Sequence, residues 1–228
     1  RQFHQIGAEV FGSASPYADA EAMAVLAELL KAAGLKKFRF EINNLGSAED
    51  RSAFGAVLVK FFTGKEASLC KECQTRLGKN VFRILDCKNE ACKVVAAGAP
   101  LISDHVSETS RANFKTTQAL LTDLGLAWSH NPRIIRGLDY YTHTVFEVKH
   151  DGLGAQDALG AGGRYDGLVT SLGGPTTPAV GFALGVERLF LAGEAEAKAA
   201  AGSTSGNAGA AGSGGTTGAG MSSEAPRS

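Results

Sequence analysis

Residues 136–149 read Arg136-Gly137-Leu138-Asp139-Tyr140-Tyr141 and then, without a break, THTVFEVK. The alternation over 140–149 predicts a long, half-buried strand. An arginine at the mouth of such a strand is a good anchor for carboxylate or phosphate oxygens, because its planar fork binds two at once. It reads equally well as a surface arginine beside a structural tyrosine corner. Adjacent strand residues point to opposite faces. Tyr140 and Tyr141 therefore line one pocket only where the backbone bends, and Gly137 offers that freedom.

Downstream, Gly160-Ala161-Gly162-Gly163 predicts a tight, bare turn. A short helix is expected at 164–172, closed by Gly173-Gly174-Pro175. A strand follows at 179–183 and a helix at 184–192. An arginine in that helix's first turn, Arg188, suits a bound nucleotide, or else an ion pair with Glu187 or Glu194. The glycine run lacks the G-K-[ST] ending of a phosphate loop and the setting of a dinucleotide fingerprint.

Upstream, residues 1–12 predict a strand, with Gln5 and Glu9 on one face. That pair suits a small ligand with ammonium or imidazole groups, although such residues are usually just solvated. A helix is expected over 18–33, capped by Asp19, striped by Val25, Leu26, Leu29, Leu30 and Ala33, and stopped by Gly34. Residues 36–43 alternate as a strand, and 43–46 turn. Ser47 and Asp50 form a capping box for a helix striped by Phe54, Val57, Leu58, Phe61 and Phe62. Helical spacing returns at 105–125, and strands from 127.

The chain has 228 residues, 44% hydrophobic and 20% charged, with 23 basic and 23 acidic side chains. That composition excludes a wholly disordered chain and provides for one or two domains. No uninterrupted apolar run reaches about 18 residues, so no membrane span is expected. Neutral net charge weakens a nucleic-acid reading, but a local basic patch suffices for one. From Gly193 onward, 28 of 36 residues are Gly, Ala, Ser or Thr. Such a segment buries too little apolar area to offset its ordering entropy, and a flexible tail is expected. Its alanine-rich start, 194–201, is able to extend the preceding helix. The chain opens on Arg1 directly before a strand, as expected of a piece of a longer protein.

Taken together, RQFHQIGAEVFG (1–12), RGLDYYTHTVFEV (136–148), AGGRYDGLV (161–169) and TPAVGFALGVERL (177–189) resemble the catalytic core of the histidyl-tRNA synthetases, which are class II aminoacyl-tRNA synthetases. The resemblance spans 1 to about 192. It implies an α+β fold, an antiparallel sheet flanked by helices and interrupted by a helical insertion. The implied division is a first catalytic part at 1–47, the insertion at 48–125, a second catalytic part at 126–192, and a disordered tail at 193–228. The implied activity is ATP-dependent activation of L-histidine and its transfer to tRNA(His), with Mg2+ accompanying ATP and a homodimer in the complete protein. By resemblance, Gln5 contacts the amino acid's main-chain groups and Glu9 hydrogen-bonds the imidazole. Tyr141 holds the ring from the other side, and Tyr140 lines the pocket. Gly162 and Gly163 let the backbone close on the substrate. Arg136 is the catalytic arginine, binding the α-phosphate and the substrate carboxylate, and Arg188 packs on the adenine. Several family parts have no counterpart: the dimer-forming first motif, the arginine of the second, the loop that holds the α-amino group, and an anticodon-binding domain. The resemblance thus implies that this chain alone does not aminoacylate tRNA.

Residues 65–93 hold seven Lys/Arg against four Asp/Glu. Lys71, Arg76, Lys79, Arg83, Lys88 and Lys93 suit contacts to tRNA phosphates, or form a solvated helical face. The same segment holds all the cysteines, as Cys70-x2-Cys73-x13-Cys87-x4-Cys92. Two close pairs fit a four-thiolate zinc site, though the second spacing is looser than a Cys-x2-Cys knuckle. The resemblance requires no metal, and reduced structural cysteines, with no metal, are the expectation. The five histidines are scattered without ligand spacing. A reducing cytosol is the expected compartment, an organellar copy staying open. Two rival readings remain. One is a catalytically silent synthetase-like regulator binding histidine or tRNA, disfavoured by the intact Arg136 segment. The other is a zinc-stabilised RNA-binding module.

Overall fold

The computed structural model describes residues 2–135, 139–154 and 157–204, the side chains of 202–204 excepted. Arg136 and Gly137 lie outside the described residues, as does the expected tail from residue 205 on.

The chain is α+β. Six strands form one sheet: β1 (Gln5–Phe11), β2 (Arg39–Asn44), β3 (Trp128–His130), β4 (Thr142–Lys149), β5 (Ala158–Arg164) and β6 (Ala179–Gly185). Their order is β1-β6-β5-β4-β2-β3. Every neighbouring pair is antiparallel except β2 and β3, which run parallel.

One face of the sheet carries Phe40, Ile42, Phe146, Val148, Val180, Phe182 and Leu184, all buried under helices. Helix α1 (Pro16–Ala32) covers it with Ala22, Met23, Leu26 and Leu30. Ser15, not Asp19, caps α1: its hydroxyl accepts the Tyr17 N–H at 3.3 Å, and Pro16 opens the helix. Asp19 instead points inward onto Arg164, with oxygen–nitrogen distances of 2.6 and 2.8 Å. That pairing sets the helix's rotation. The buried face runs 19, 23, 26, 30, which leaves the expected stripe members Val25 and Leu29 at 42% and 38% exposure.

Helices α2 (Ala48–Phe62), α3 (Lys71–Leu77), α4 (Phe82–Leu85) and α5 (Glu90–Ala97) surround a second core of Phe54, Leu58, Phe62, Leu69, Ile84 and the cysteines. The Ser47–Asp50 capping box of α2 is present. Helix α6 (Glu108–Asp123) lies within the 48–125 range, yet its Phe114 and Leu121 join α1 and the sheet.

Two expectations are corrected. The 160–163 run is not a turn: it is the middle of β5, hydrogen-bonded on both sides. The short helix α7 is only Leu168–Ser171, because Arg164 ends β5 and is anchored by Asp19, Asp166 and the Ser13 and Ser15 carbonyls. Helix α8 (Val186–Thr204) continues well past Gly193. Glu196 docks it, accepting the Lys36 and Lys37 N–H groups at 3.0 and 2.8 Å, and lies 3.0 Å from buried His150 Nε2.

Candidate functional site

The second face of the sheet is built from small residues. Cross-strand pairing places Gly7, Ala183 and Ala161 in one row, with Glu147 next in line. Glu9, Gly181, Gly163 and Val145 make the next row. In β6 the alternation is strict: Val180, Phe182 and Leu184 face the core, while Gly181, Ala183 and Gly185 face the other way. Removing bulk from one face of adjoining strands leaves room above them. A cleft of about 770 Å³ lies there, lined among others by Gln5, Tyr140, Tyr141, Ala161, Ala183 and Arg188.

A bend brings the tyrosines over this floor. Strand β4 begins only at Thr142, and its register against β5 shifts between Thr142 and Val145. Within that bulge His143 has φ +47°, a left-handed conformation rare for a residue with a Cβ. Tyr140 and Tyr141 precede the strand, so strand alternation does not separate them. Their ring centroids are 4.7 Å apart, and each packs edge-on to Tyr165. Arg51 of α2 donates to the Tyr141 carbonyl and lies over the Phe82 ring at 5.0 Å. Asn80 holds Asp139. Buried Asn43 supports the preceding loop, donating to the Ile134 carbonyl at 2.9 Å.

Of the expected site residues, Gln5, Tyr140, Tyr141 and Arg188 converge on the cleft. Arg188 Nε donates to the Ala158 carbonyl, while Glu187 is engaged elsewhere, with the His4 ring at 2.8 Å. Glu9 is not in the cleft lining. It lies across Gly181, where a Cβ would collide with its carboxylate, and partial burial raises its carboxyl above the ordinary range. Gly162 and Gly163 also stand outside the lining. Their missing side chains admit the Phe146 and Tyr141 rings respectively. Sequence reasoning missed Arg51, Asn80 and Tyr165. Nothing in α2's periodicity distinguishes Arg51 from a solvated helix residue, because its partner is a backbone carbonyl 90 residues away.

The basic residues of 65–93 are partly neutralised. Lys88 pairs with Asp86 at 2.9 Å, Lys93 with Glu90 at 2.6 Å, and Arg76 with Glu72. Lys71, Lys79 and Arg83 have no carboxylate partner among the described residues.

The fold is similar to that of the apo histidyl-tRNA synthetase of S. aureus, with a TM-score of 0.73 at 38% identity, covering 86% of this chain and 48% of that one. Residues 1–189 match the family described as Histidyl-tRNA synthetase, and the chain belongs to that family. Among curated relatives, the histidine–tRNA ligase of Microcystis aeruginosa is 49% identical over 191 residues, 84% of this chain and 45% of that protein. The histidine–tRNA ligase of Desulfosudis oleivorans is 52% identical over 189 residues, 83% of this chain and 45% of that one. The chain thus spans a little under half the length of these relatives. No helix among the described residues is long and apolar enough to cross a membrane.

Proposed function

We propose that this chain is the histidine-activating portion of a histidine–tRNA ligase. The observation that carries the reading is the small-residue floor beneath Gln5, Tyr140, Tyr141 and Arg188. That floor leaves room for an amino acid and a nucleotide, with polar groups at the rim. The reaction needs no nucleophilic side chain. The carboxylate of histidine attacks the α-phosphate of ATP, histidyl adenylate forms and pyrophosphate leaves. A terminal hydroxyl of tRNA(His) then takes the acyl group. The protein's part is to position reactants and neutralise charge. In this reading Glu9 accepts a hydrogen bond from one imidazole nitrogen and Tyr141 meets the other. Gln5 takes the main-chain groups. Gly163, in the row of Glu9 and Gly181, lets β5 lie close beneath the ligand, whereas Gly162 faces Phe146 on the other side of the sheet. Arg136 faces the α-phosphate and carboxylate, and Arg188 the adenine. Mg2+ enters with ATP as part of the substrate. Lys71, Lys79 and Arg83 meet tRNA phosphates, and the complete protein is a cytoplasmic homodimer.

The test is L-histidine-dependent ATP–pyrophosphate exchange by the full-length gene product. Selection by paired polar contacts is lost steeply when one contact is removed. Glu9→Gln and Tyr141→Phe are therefore expected to raise the KM for histidine about tenfold or more. Arg136→Ala is expected to act mainly on kcat. Histidine binding without any exchange would instead support the silent regulatory reading.

A further inference from the structure

The four cysteines, far apart in two sequence pairs, converge on one point. Their Sγ atoms all lie within 4.8 Å of one another, and those of Cys70 and Cys87 are 3.9 Å apart. Cys73 and Cys92 are fully buried and Cys87 nearly so. Cys70 stands at the N-cap of α3 and Cys73 in its first turn. Cys87 follows α4, and Cys92 lies in the first turn of α5. Asn89 caps α5 through the Ala91 N–H at 3.0 Å. That turn brings Cys92 back beside Cys87 and explains why a four-residue spacer serves where two residues are usual.

We propose that Cys70, Cys73, Cys87 and Cys92 bind a structural Zn2+ ion. A tetrahedral zinc with Zn–S bonds of about 2.3 Å has sulfur–sulfur edges of about 3.8 Å. The observed separations lie within roughly 1 Å of that, a gap that small side-chain rotations close. Disulfides are the rival outcome, but they join sulfurs two by two at about 2.05 Å and give no reason for four to share one centre. Four protein ligands also leave no open coordination position, which makes the site structural rather than catalytic.

The surroundings suit thiolates. The Cys70 N–H donates to Cys92 Sγ at 3.2 Å, and Arg76 Nη1 lies 3.9 Å from Cys73 Sγ. Four thiolates around Zn2+ leave a net charge of −2, and the guanidinium offsets part of it. Arg76 also donates to the Arg83 carbonyl at 3.2 Å, tying α3 to α4 beside the cluster. The ion has a clear structural task. Helices α3, α4 and α5 have seven, four and eight residues, too short to persist without tertiary support. A tetrathiolate centre cross-links all three. This inference stands apart from the ligase reading, since none of the four thiols lines the cleft.

The test is metal analysis of the 228-residue chain, expressed with zinc available and purified without chelator. About one zinc per chain is expected, released when a thiol reagent modifies the cysteines. Cys87→Ser and Cys92→Ser should each lower the retained zinc at least about tenfold. Because those variants risk misfolding, the wild-type chain is also exchanged with Co2+, which should show the visible bands of a tetrahedral thiolate site. Metal far below one equivalent with four freely titrating thiols would overturn the proposal. So would two disulfides in the intact mass, or iron bound in place of zinc.

Discussion

Asp50 shows how one side chain carries two elements. Its Oδ2 accepts the Ser47 N–H at 2.9 Å, closing the capping box of α2, and the Ser110 hydroxyl at 2.7 Å. Its Oδ1 accepts the Ser107 N–H at 3.0 Å, at the cap of α6. The starts of α2 and α6 are thus joined through a single carboxylate. Burial pushes the Asp50 carboxyl up, but the hydrogen bonds from Ser47, Ser110 and Ser107 outweigh it and hold the group below its ordinary value. A carboxylate depressed in the fold stabilises at pH above the unfolded value, near 3.8, and loses that contribution as pH falls through the folded value. Asp50→Ala is expected to cost about 2 kcal/mol at neutral pH, the sum of a lost cap and unpaired donors. Urea unfolding as a function of pH checks this: the gap from wild type should narrow once the pH passes below the ordinary aspartate value. A constant gap would show that packing, not the charge, is what Asp50 supplies.

At the scale of elements, α8 separates composition from context. Residues 193–204 belong by composition to a segment that buries little, yet they form helix, as the alanine-rich start at 194–201 allows. Ala195 packs beside Gly152, and a polar contact set adds to that hold. Glu196 closes the unpaired N–H groups of Lys36 and Lys37 and meets His150. Burial raises the Glu196 carboxyl, and those donors more than reverse the shift. Glu196→Ala should cost about 1 kcal/mol by leaving the buried His150 ring without its carboxylate partner, read as a lower Tm, with Glu196→Gln recovering part of the loss. An unchanged Tm for Glu196→Ala would mean that α8 docks through its apolar face alone. The same contrast explains what the sequence revealed. Strands β1, β2, β4 and β6 and helices α1, α2 and α6 were legible, because alternating or 3.6-spaced apolar residues imprint burial directly on order. Strand β5 was not. Its glycines oppose a strand by propensity, and they are there because the Phe146 and Tyr141 rings occupy the space of the missing side chains. The inward Asp19 escaped for a similar reason, since its partner Arg164 lies 145 residues away. In the cleft, Gln5, Tyr140, Tyr141 and Arg188 were recognisable through motif resemblance. Arg51, which positions Tyr141 through a backbone contact, carries no pattern of its own.

At the scale of the whole molecule, the sheet's two edges are unequal. The β3 edge has three residues, too few to template much pairing. The β1 edge has seven, joined among the described residues on one side only, to β6. Ile6 and Phe11 on that strand are 46% and 59% exposed, and Phe3 just before it 70%. On α8, Phe190 and Leu191 are exposed to 71% and 55%. A long edge with unpaired backbone groups and apolar side chains favours pairing with another chain unless charge or cover opposes it. Glu9 is the one charged residue of β1, and its carboxylate is folded across Gly181 rather than along the edge. The 228-residue chain is therefore expected to self-associate when studied alone. Light scattering behind a size-exclusion column should give a mass that rises above 23.6 kDa with concentration. Ile6→Lys should suppress the rise by placing a solvated charge on the edge, whereas Phe190→Glu tests whether α8 takes part. Retention of the 23.6 kDa mass at every concentration would overturn this expectation. If both substitutions leave the association intact, some surface other than the β1 edge and α8 is responsible.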